Sequence, residues 1–113
     1  MEDKLIELLA TIEPTVYRQG SLGEREKYPK KFFTFWNNNS EGASHYDNTE
    51  ASTLYDYDVN FYSTSSQLTY DTLRQAIELL KANGWIVSGD GYDVASDEKS
   101  HTGRGFRALY IKY

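Results

Sequence analysis

Residues 54–85 read LYDYDVNFYSTSSQLTYDTLRQAIELLKANGW, and this stretch predicts a strand followed directly by a helix. In residues 54–62 aromatic and apolar side chains alternate with Asp56, Asp58 and Asn60. That period is typical of a strand with one buried face and one wet face. Further along, the apolar positions change to helical spacing. A strand and a helix of this kind bury their apolar sides against each other, so the stretch predicts an α+β core.

The helix in this stretch has recognisable end signals. We expect Thr69 to cap its N-terminus through the side-chain hydroxyl. Asn83 and Gly84 are expected to end it, because glycine readily adopts the left-handed conformation found just after a helix. Trp85 can then pack back on the last turn. The expected apolar stripe consists of Tyr70, Leu73, Ala76, Ile77 and Leu80.

The rest of the chain is divided by the same patterns. A first helix is predicted over residues 3–12, where apolar side chains recur at helical spacing, and Pro14 is expected to end it. Short strands are predicted at residues 15–19, 32–36, 85–88 and 106–113, and polar loops at residues 20–31, 37–53 and 89–104. The last two strands are expected to form a hairpin with a long tip. The predicted fold class is α+β, with a mostly antiparallel sheet, two helices packed on one face and long β-hairpin loops, in one domain over residues 1–113.

Composition narrows the classes of function. The chain has 113 residues, no cysteine and a formal net charge of −5, so thiolate metal sites and cysteine nucleophiles are excluded and strong non-specific DNA binding is disfavoured. The acidic N-terminus does not resemble a signal peptide, and no apolar run approaches the roughly 20 residues of a membrane span. We therefore expect a soluble cytoplasmic protein.

Aromatic residues are unusually frequent, with ten Tyr, five Phe and two Trp, or 15% of the chain. Tyrosine joins a large apolar ring to a polar tip, and it is therefore common both in small cores and on surfaces that become buried on association. We expect most of these rings to fill the core and the remainder to lie at an interface.

Two acidic stretches share features with metal sites. The pattern Asp56-x-Asp58-x-Asn60 resembles the start of a calcium loop, but Phe61 and Gln67 stand where that loop needs Gly and Glu. Strand alternation explains the spacing without a metal. The acidic residues between 89 and 98 either collect a hard cation or form a solvated hairpin tip, and the second interpretation is favoured.

Other candidate sites are weaker still. His45 and His101 stand alone in polar segments, and both are expected to be exposed. The basic residues between 27 and 31 could touch phosphates, but a solvated loop is the simpler interpretation. No catalytic, cofactor-binding or metal-binding residue is assigned, and no cofactor is expected.

The order of elements resembles the small virion proteins at the head–tail junction of long-tailed bacteriophages and prophages, in particular tail terminator and tail-to-head joining proteins. The likeness runs over nearly the whole chain. It consists of an N-terminal helix, VYRQG at 16–20, YP at 28–29 leading into FFTFW at 32–36, the alternating strand, a helix ending in ANGW at 82–85, and a terminal hairpin.

This resemblance implies a non-enzymatic protein that needs no cofactor. Six copies would form a ring that caps the tail tube and receives the head connector. The implied partners are further copies of the chain, the tail tube protein and the head connector or stopper protein. DNA would pass through the ring without specific binding, and no membrane would be involved. Assembly would take place in the cytoplasm of a bacterial host, and the protein would reside in the neck or tail of the virion.

Within such a ring, the polar residues 37–53 and 89–104 are long enough to reach neighbouring subunits. The subunit-contact candidates are Trp36, His45, Tyr46, Tyr92 and His101. Acidic side chains are expected to line the lumen, where like charge keeps DNA from sticking. The lumen-facing candidates are Asp56, Asp58, Asp90, Asp93, Asp97 and Glu98.

Two other classes of function remain open. The chain could be another small phage structural or accessory protein, or a non-catalytic bacterial protein-interaction module with the same core. It could also be an enzyme whose site has no sequence motif. Self-association distinguishes the ring from the enzyme, for which a deep pocket with perturbed carboxylates would be expected.

Overall fold

A computed structural model describes residues 2–18, 29–42, 53–96 and 99–112. Two helices and a mostly antiparallel six-stranded sheet confirm the predicted α+β class. In chain order the elements are α1 Glu2–Ala10, β1 Val16–Arg18, β2 Lys31–Gly42, β3 Thr53–Ser63, α2 Ser66–Ala82, β4 Ile86–Val87, β5 Tyr92–Val94 and β6 Thr102–Lys112.

The sheet is built around three long strands. Its order is β1-β2-β3-β6-β4, with β5 also pairing with β6. The β1–β2 pair is parallel and the other pairs are antiparallel. Phe35 on β2 lies opposite Val59 on β3, which in turn lies opposite Phe106 on β6. Residues in such a row point to the same face, so one register fixes both faces of the sheet.

One face, which we call the covered face, packs against both helices. The rings of Phe33 and Phe61 meet there with centroids 4.8 Å apart. Each large side chain that is fully buried in this way stabilises the fold by about 1.5–3 kcal/mol. The core consists of Leu5, Leu9, Phe33, Phe35, Tyr57, Val59, Phe61, Leu73, Ala76, Ile77, Leu80, Trp85, Val87, Phe106 and Ala108.

Helix α2 begins one turn earlier than predicted. Its N-cap is Ser65, whose Oγ accepts a hydrogen bond from the Leu68 backbone N–H. The predicted cap, Thr69, is instead buried, and its Oγ1 lies 2.6 Å from the Ser63 hydroxyl. Tyr70 is exposed, contrary to its predicted place in the apolar stripe. Serine is among the strongest N-cap residues, and Ser65 precedes the helical apolar pattern, so α2 begins directly after it.

The predicted end of α2 is confirmed. Gly84 has φ +91°, and the Trp85 backbone N–H donates to the Leu80 carbonyl oxygen at 3.0 Å. The Gly84 N–H donates to the Lys81 carbonyl oxygen at 3.3 Å. These two bonds form a Schellman motif, which directs Trp85 back into the core.

The predicted polar loop over residues 37–53 is wrong at both ends. Residues 37–42 continue β2, and residue 53 begins β3. The pairing passes through an irregularity between Asn37 and Asn39 and continues to Gly42, which lies opposite Thr53. Polar side chains in a strand are acceptable where a sheet face meets water, and composition alone therefore misplaced this boundary. Residues 43–52 lie outside the described part.

The predicted long tip over residues 89–104 is also largely wrong. Residues 92–94 form β5, which pairs with residues 103–105 of β6, and β6 itself begins at Thr102. Gly103 permits this pairing, because a Cβ there would lie 2.8 Å from Cγ2 of its β5 partner Val94. The segment is thus folded onto its own sheet at these positions, while residues 97 and 98 are not described.

Candidate interaction surface

The second face of the sheet, which we call the open face, carries no helix in the described part of the chain. Phe32, Thr34 and Trp36 of β2 point to it, as do Asn60 of β3 and Arg107 of β6. These residues occupy the strand positions between those of the covered face. The open face divides into two ends with different surroundings.

At the start of β2 the open face is filled by rings from the same chain. Phe32 is buried and stacks on Tyr62 with centroids 5.3 Å apart, and Tyr17 and His101 lie at 6.0 and 6.1 Å. The Nε2 atom of His101 is 2.7 Å from the Pro29 carbonyl oxygen. His101 is therefore half-buried rather than exposed as predicted, and it holds the β6 end of this cluster in place.

At the other end the open face exposes apolar side chains to solvent. Trp36, Ile86 and Tyr92 are 48%, 51% and 48% exposed. Trp36 shares a row with Asp58 and Arg107, and a shallow pocket is lined in part by Ile86, Tyr92 and Arg107. We call Trp36, Ile86, Tyr92 and Arg107 the open patch.

A polar network lies beneath this patch. Arg107 is directly opposite Asp58, but its guanidinium reaches diagonally to Asp56, with Nε donating to Oδ1 at 2.9 Å and to Oδ2 at 3.1 Å. The Nη2 atom also donates to Asp56 Oδ2. Asn38, beside the irregularity in β2, donates from Nδ2 to Asp56 Oδ1 at 3.2 Å. The carboxylate thus accepts bonds from two side chains across the sheet.

The two charges of this pair have different exposures. Asp56 is 5% exposed, whereas the side chain of Arg107 is 63% exposed. The hydrogen bond from Arg107 lowers the pKa of Asp56, against the opposing effect of desolvation, and the same bond raises the pKa of Arg107. Burial raises the pKa of Tyr92, and the charge of Asp58 adds to this effect. Asp56 is therefore ionised at neutral pH and holds one edge of the guanidinium, while the remainder faces solvent.

The described acidic candidates do not share one surface. Asp56 is buried and paired, which corrects its predicted place on a wet face, and Asp58 is half-buried on the open face. Asp93 lies in the row of Arg104, which belongs to the covered face, and Arg104 Nη1 is 2.9 Å from Asp93 Oδ1. Asp90 lies in the turn before β5, and its carbonyl oxygen accepts a bond from Arg104. Asp97 and Glu98 lie outside the described residues.

The predicted subunit-contact residues are also separated. The structure brings Trp36 and Tyr92 onto the same end of the open face. His101 lies at the opposite end, within the internal ring cluster. His45 and Tyr46 lie outside the described residues.

Sequence reasoning missed two members of the open patch. Ile86 follows the core residue Trp85 and precedes the core residue Val87, so alternation placed it on the other face. Arg107 stands in the same way between Phe106 and Ala108. The alternation signal existed for both, but their position at the same end of the open face as Trp36 depends on the strand order, which local patterns do not predict.

The described residues form neither a metal-binding cluster of side chains nor a helix that could span a membrane. No group of three or more His, Asp or Glu side chains there is arranged to hold a metal ion. Among the described helices, none has the length and apolar character needed to cross a bilayer. The Asp56 side chain of the calcium-like pattern is occupied by Arg107 and Asn38.

The chain was also compared with known proteins. No family model matches it, and no curated protein matches it at a significant level.

Proposed function

We propose that this chain is a structural virion protein of a phage or prophage that acts at the head–tail junction. It assembles into a hexameric ring that terminates the tail tube and joins it to the head connector. The proposal starts from the resemblance in element order. The observation that carries it further is the open patch, a group of exposed apolar side chains around a fixed guanidinium.

The residue types of the open patch favour binding to another protein. Trp, Tyr and Arg dominate the binding energy of protein interfaces, because each combines a large contact area with a polar group. Such side chains clustered on a folded surface commonly mark an interaction site. The underlying Asp56–Arg107 pair would fix the orientation of the patch before a partner arrives, which lowers the entropy cost of binding.

The long strands support an assembling role as well. β1 pairs with residues 33–35 of β2, and β4 pairs with residues 108–109 of β6. Past these positions, β2, β3 and β6 continue together as a three-stranded ribbon. Gly42, Thr53 and Lys112 form the last row of this ribbon. A three-stranded extension of this kind offers backbone and side chains to an adjacent subunit. In the proposed assembly it replaces the free polar arm expected from the sequence.

The first experiment measures assembly. The purified chain is analysed by size-exclusion chromatography with light scattering and by negative-stain electron microscopy, alone and mixed with tail tubes from the parent phage. We expect rings with a central channel, either free or on tube ends. A chain that remains monomeric and binds no tube end would contradict the proposal and favour a different interaction partner.

A genetic experiment tests the place of action. Deletion of the gene from the parent phage or prophage should give filled heads and tail tubes that do not join, because the ring is proposed to lie between them. Complementation from a plasmid is the control. Infectious particles of normal morphology after deletion would show that the chain acts elsewhere.

A further inference from the structure

We propose that the open patch binds an arginine side chain on a segment of a different protein, an inference that rests on the protein-binding role proposed for this patch. The guanidinium of that arginine stacks on the exposed ring of Trp36 and pairs with Asp58, which lies directly opposite Trp36 in the β2–β3 pairing. Side chains directly opposite each other on antiparallel strands have Cβ atoms about 4.5–5.5 Å apart, so one guanidinium can contact both.

The charges around the patch leave one carboxylate in excess. The Arg107 guanidinium donates hydrogen bonds to Asp56 and lies opposite Asp58, whose charge also acts on it. Two carboxylates therefore face one guanidinium. Asp56 is 5% exposed, whereas Asp58 is half-buried and can be reached from solvent. The excess negative charge favours a cation as the occupant and disfavours a carboxylate.

The position of Arg107 leaves room for this second cation. In the row Trp36–Asp58–Arg107, the carboxylate stands between the indole and the guanidinium-bearing strand. The Arg107 side chain turns diagonally out of this row to reach Asp56. A cation that approaches Asp58 from the Trp36 side therefore has the carboxylate between itself and the like charge of Arg107.

The exposed rings make arginine the preferred cation. Trp36 is 48% exposed, and tryptophan is the strongest partner for a cation among the aromatic side chains. The planar guanidinium can stack on a ring and pair with a carboxylate at the same time, which the ammonium of lysine does less well. Ile86 and Tyr92, also about half exposed, offer apolar contact to the residues that flank the arginine.

The same combination of groups already occurs inside the subunit. The Cζ atom of Arg104 lies 5.2 Å from the ring centroid of Tyr70, and its Nη1 atom lies 2.9 Å from Asp93 Oδ1. One arginine is thus held by a ring and a carboxylate together. The open patch presents a ring and a carboxylate in neighbouring positions, and the proposed partner supplies the arginine.

The arginine comes from a different protein, because a copy of this chain is a poor source. The arginines in the described part of the chain each lie near a carboxylate of their own, in the pairs Arg18–Glu2, Arg74–Glu78, Arg104–Asp93 and Arg107–Asp56. Two copies that each carry a formal net charge of −5 also repel each other. In the proposed neck, the tail tube protein and the head connector are the neighbouring proteins that can supply a basic segment.

The test measures binding of three nonapeptide amides that carry the same dye of zero net charge. The probe is GLRGLRGLR, and its two controls replace arginine with citrulline, which keeps the planar shape without the charge, or with glutamate. Fluorescence anisotropy gives the affinities for the wild type, Asp58→Asn and Trp36→Ala. Glu78→Gln, at an exposed position on α2, is the control with the same net charge as Asp58→Asn. Circular dichroism checks that each variant is folded, and if one of the two patch variants does not fold, the other carries the test.

We expect the arginine peptide to bind the wild type about tenfold more tightly than the citrulline peptide, and the glutamate peptide to bind least. Asp58→Asn should weaken binding of the arginine peptide by roughly tenfold and leave that of the citrulline peptide unchanged, because only the charged group pairs with the carboxylate. Trp36→Ala should weaken binding of the arginine peptide by a similar factor. Glu78→Gln should match the wild type.

The other outcomes overturn this inference or the proposed function separately. An arginine peptide that does not bind, or that binds Asp58→Asn as tightly as Glu78→Gln, overturns the inference even if the chain forms rings. Tighter binding of the glutamate peptide also overturns it, because Arg107 would then be the charge that recruits the partner. Wild-type rings that dissociate on Asp58→Asn would place a second copy on the patch and overturn the inference but not the ring. Specific peptide binding by a chain that forms no rings supports the inference and contradicts the ring.

Discussion

Strand β3 contributes side chains to both faces of the sheet, and the two faces bury those side chains in different ways. Tyr57, Val59 and Phe61 enter the covered face, where helices exclude water from an apolar core. Asp56 on the same strand enters the open face and is buried by a charged partner. Apolar burial is non-directional and supplies stability, whereas the charged pair is directional and fixes the geometry of a surface. One strand thus contributes apolar side chains to the core on one side and a buried carboxylate to a polar network on the other.

The largest expected effect tests whether stability resides in the covered face. Phe33→Ala removes a fully buried ring that contacts Phe61 and should lower the free energy of unfolding by about 3–5 kcal/mol. Trp36→Ala, on the same strand but on the open face, should lower it by less than about 1 kcal/mol, since the indole is half exposed. Urea denaturation of both variants measures the difference. Equal losses would show that the exposed end of the open face also stabilises the fold.

A second, smaller effect concerns the turn through which the chain enters β5. Gly91 has φ +91°, and a Cβ there would lie 2.8 Å from the Gly105 carbonyl oxygen and 2.8 Å from the Leu73 side chain. Gly91→Ala should therefore destabilise the fold by roughly 2–3 kcal/mol, through backbone strain and a contact that the backbone must relieve.

Gly89 is the matched control for this change. It also has positive φ, at +76°, but no heavy atom lies within 4 Å of its expected Cβ. Gly89→Ala should cost only the strain, about 1 kcal/mol. Thermal unfolding of both variants separates the two contributions. If Gly91→Ala were no worse than Gly89→Ala, β5 would not be held against β6 as closely as the structure indicates.

A third effect follows from the charge of Asp56. Because its pKa is lowered in the folded chain from the ordinary 3.8, Asp56 stabilises the fold above that value, and the contribution is lost as pH falls through the folded pKa. Asp56→Asn should cost about 1–2 kcal/mol at neutral pH. The difference from the wild type should narrow below about pH 4.

The control is Asp58→Asn, on the same strand and face. Asp58 raises the pKa of Arg107 through its charge, whereas Asp56 does so through a hydrogen bond as well. It should have a much smaller effect on stability. Urea titrations across the acid range measure both variants. A wild-type advantage over Asp56→Asn that persists unchanged into strong acid would show that the carboxylate charge is not what stabilises the network.

The sequence predicted the covered face well and the open face poorly. Periodicity identified Leu73, Ile77 and Leu80 as core and the Asn83-Gly84 stop as a helix end, because both signals are local. It also gave the correct alternation of β3. Local patterns were sufficient wherever the residues of a single element determine its structure.

The open patch required information that is not local. Arg107 donates to Asp56, which lies 51 positions away in the sequence, and only the strand order brings the two residues together. The continuation of β2 past Asn37 depends on its pairing with β3 rather than on its own polar composition. For the same reason the glycine-rich composition around β5 predicts a loop, although these three residues pair with β6.

The smallest expected effect concerns the N-cap of α2, the helix that packs on the covered face. Ser65 Oγ accepts the Leu68 N–H at 3.3 Å, and Ser65→Ala should lower the free energy of unfolding by about 1 kcal/mol through loss of this cap. The neighbouring Ser66→Ala, at the first helical residue, should have almost no effect, because it removes no cap. Urea denaturation compares the two. If the two serines proved equivalent, α2 would be fixed by its packing on the covered face alone, and the boundary at Ser65 would carry no share of the stability.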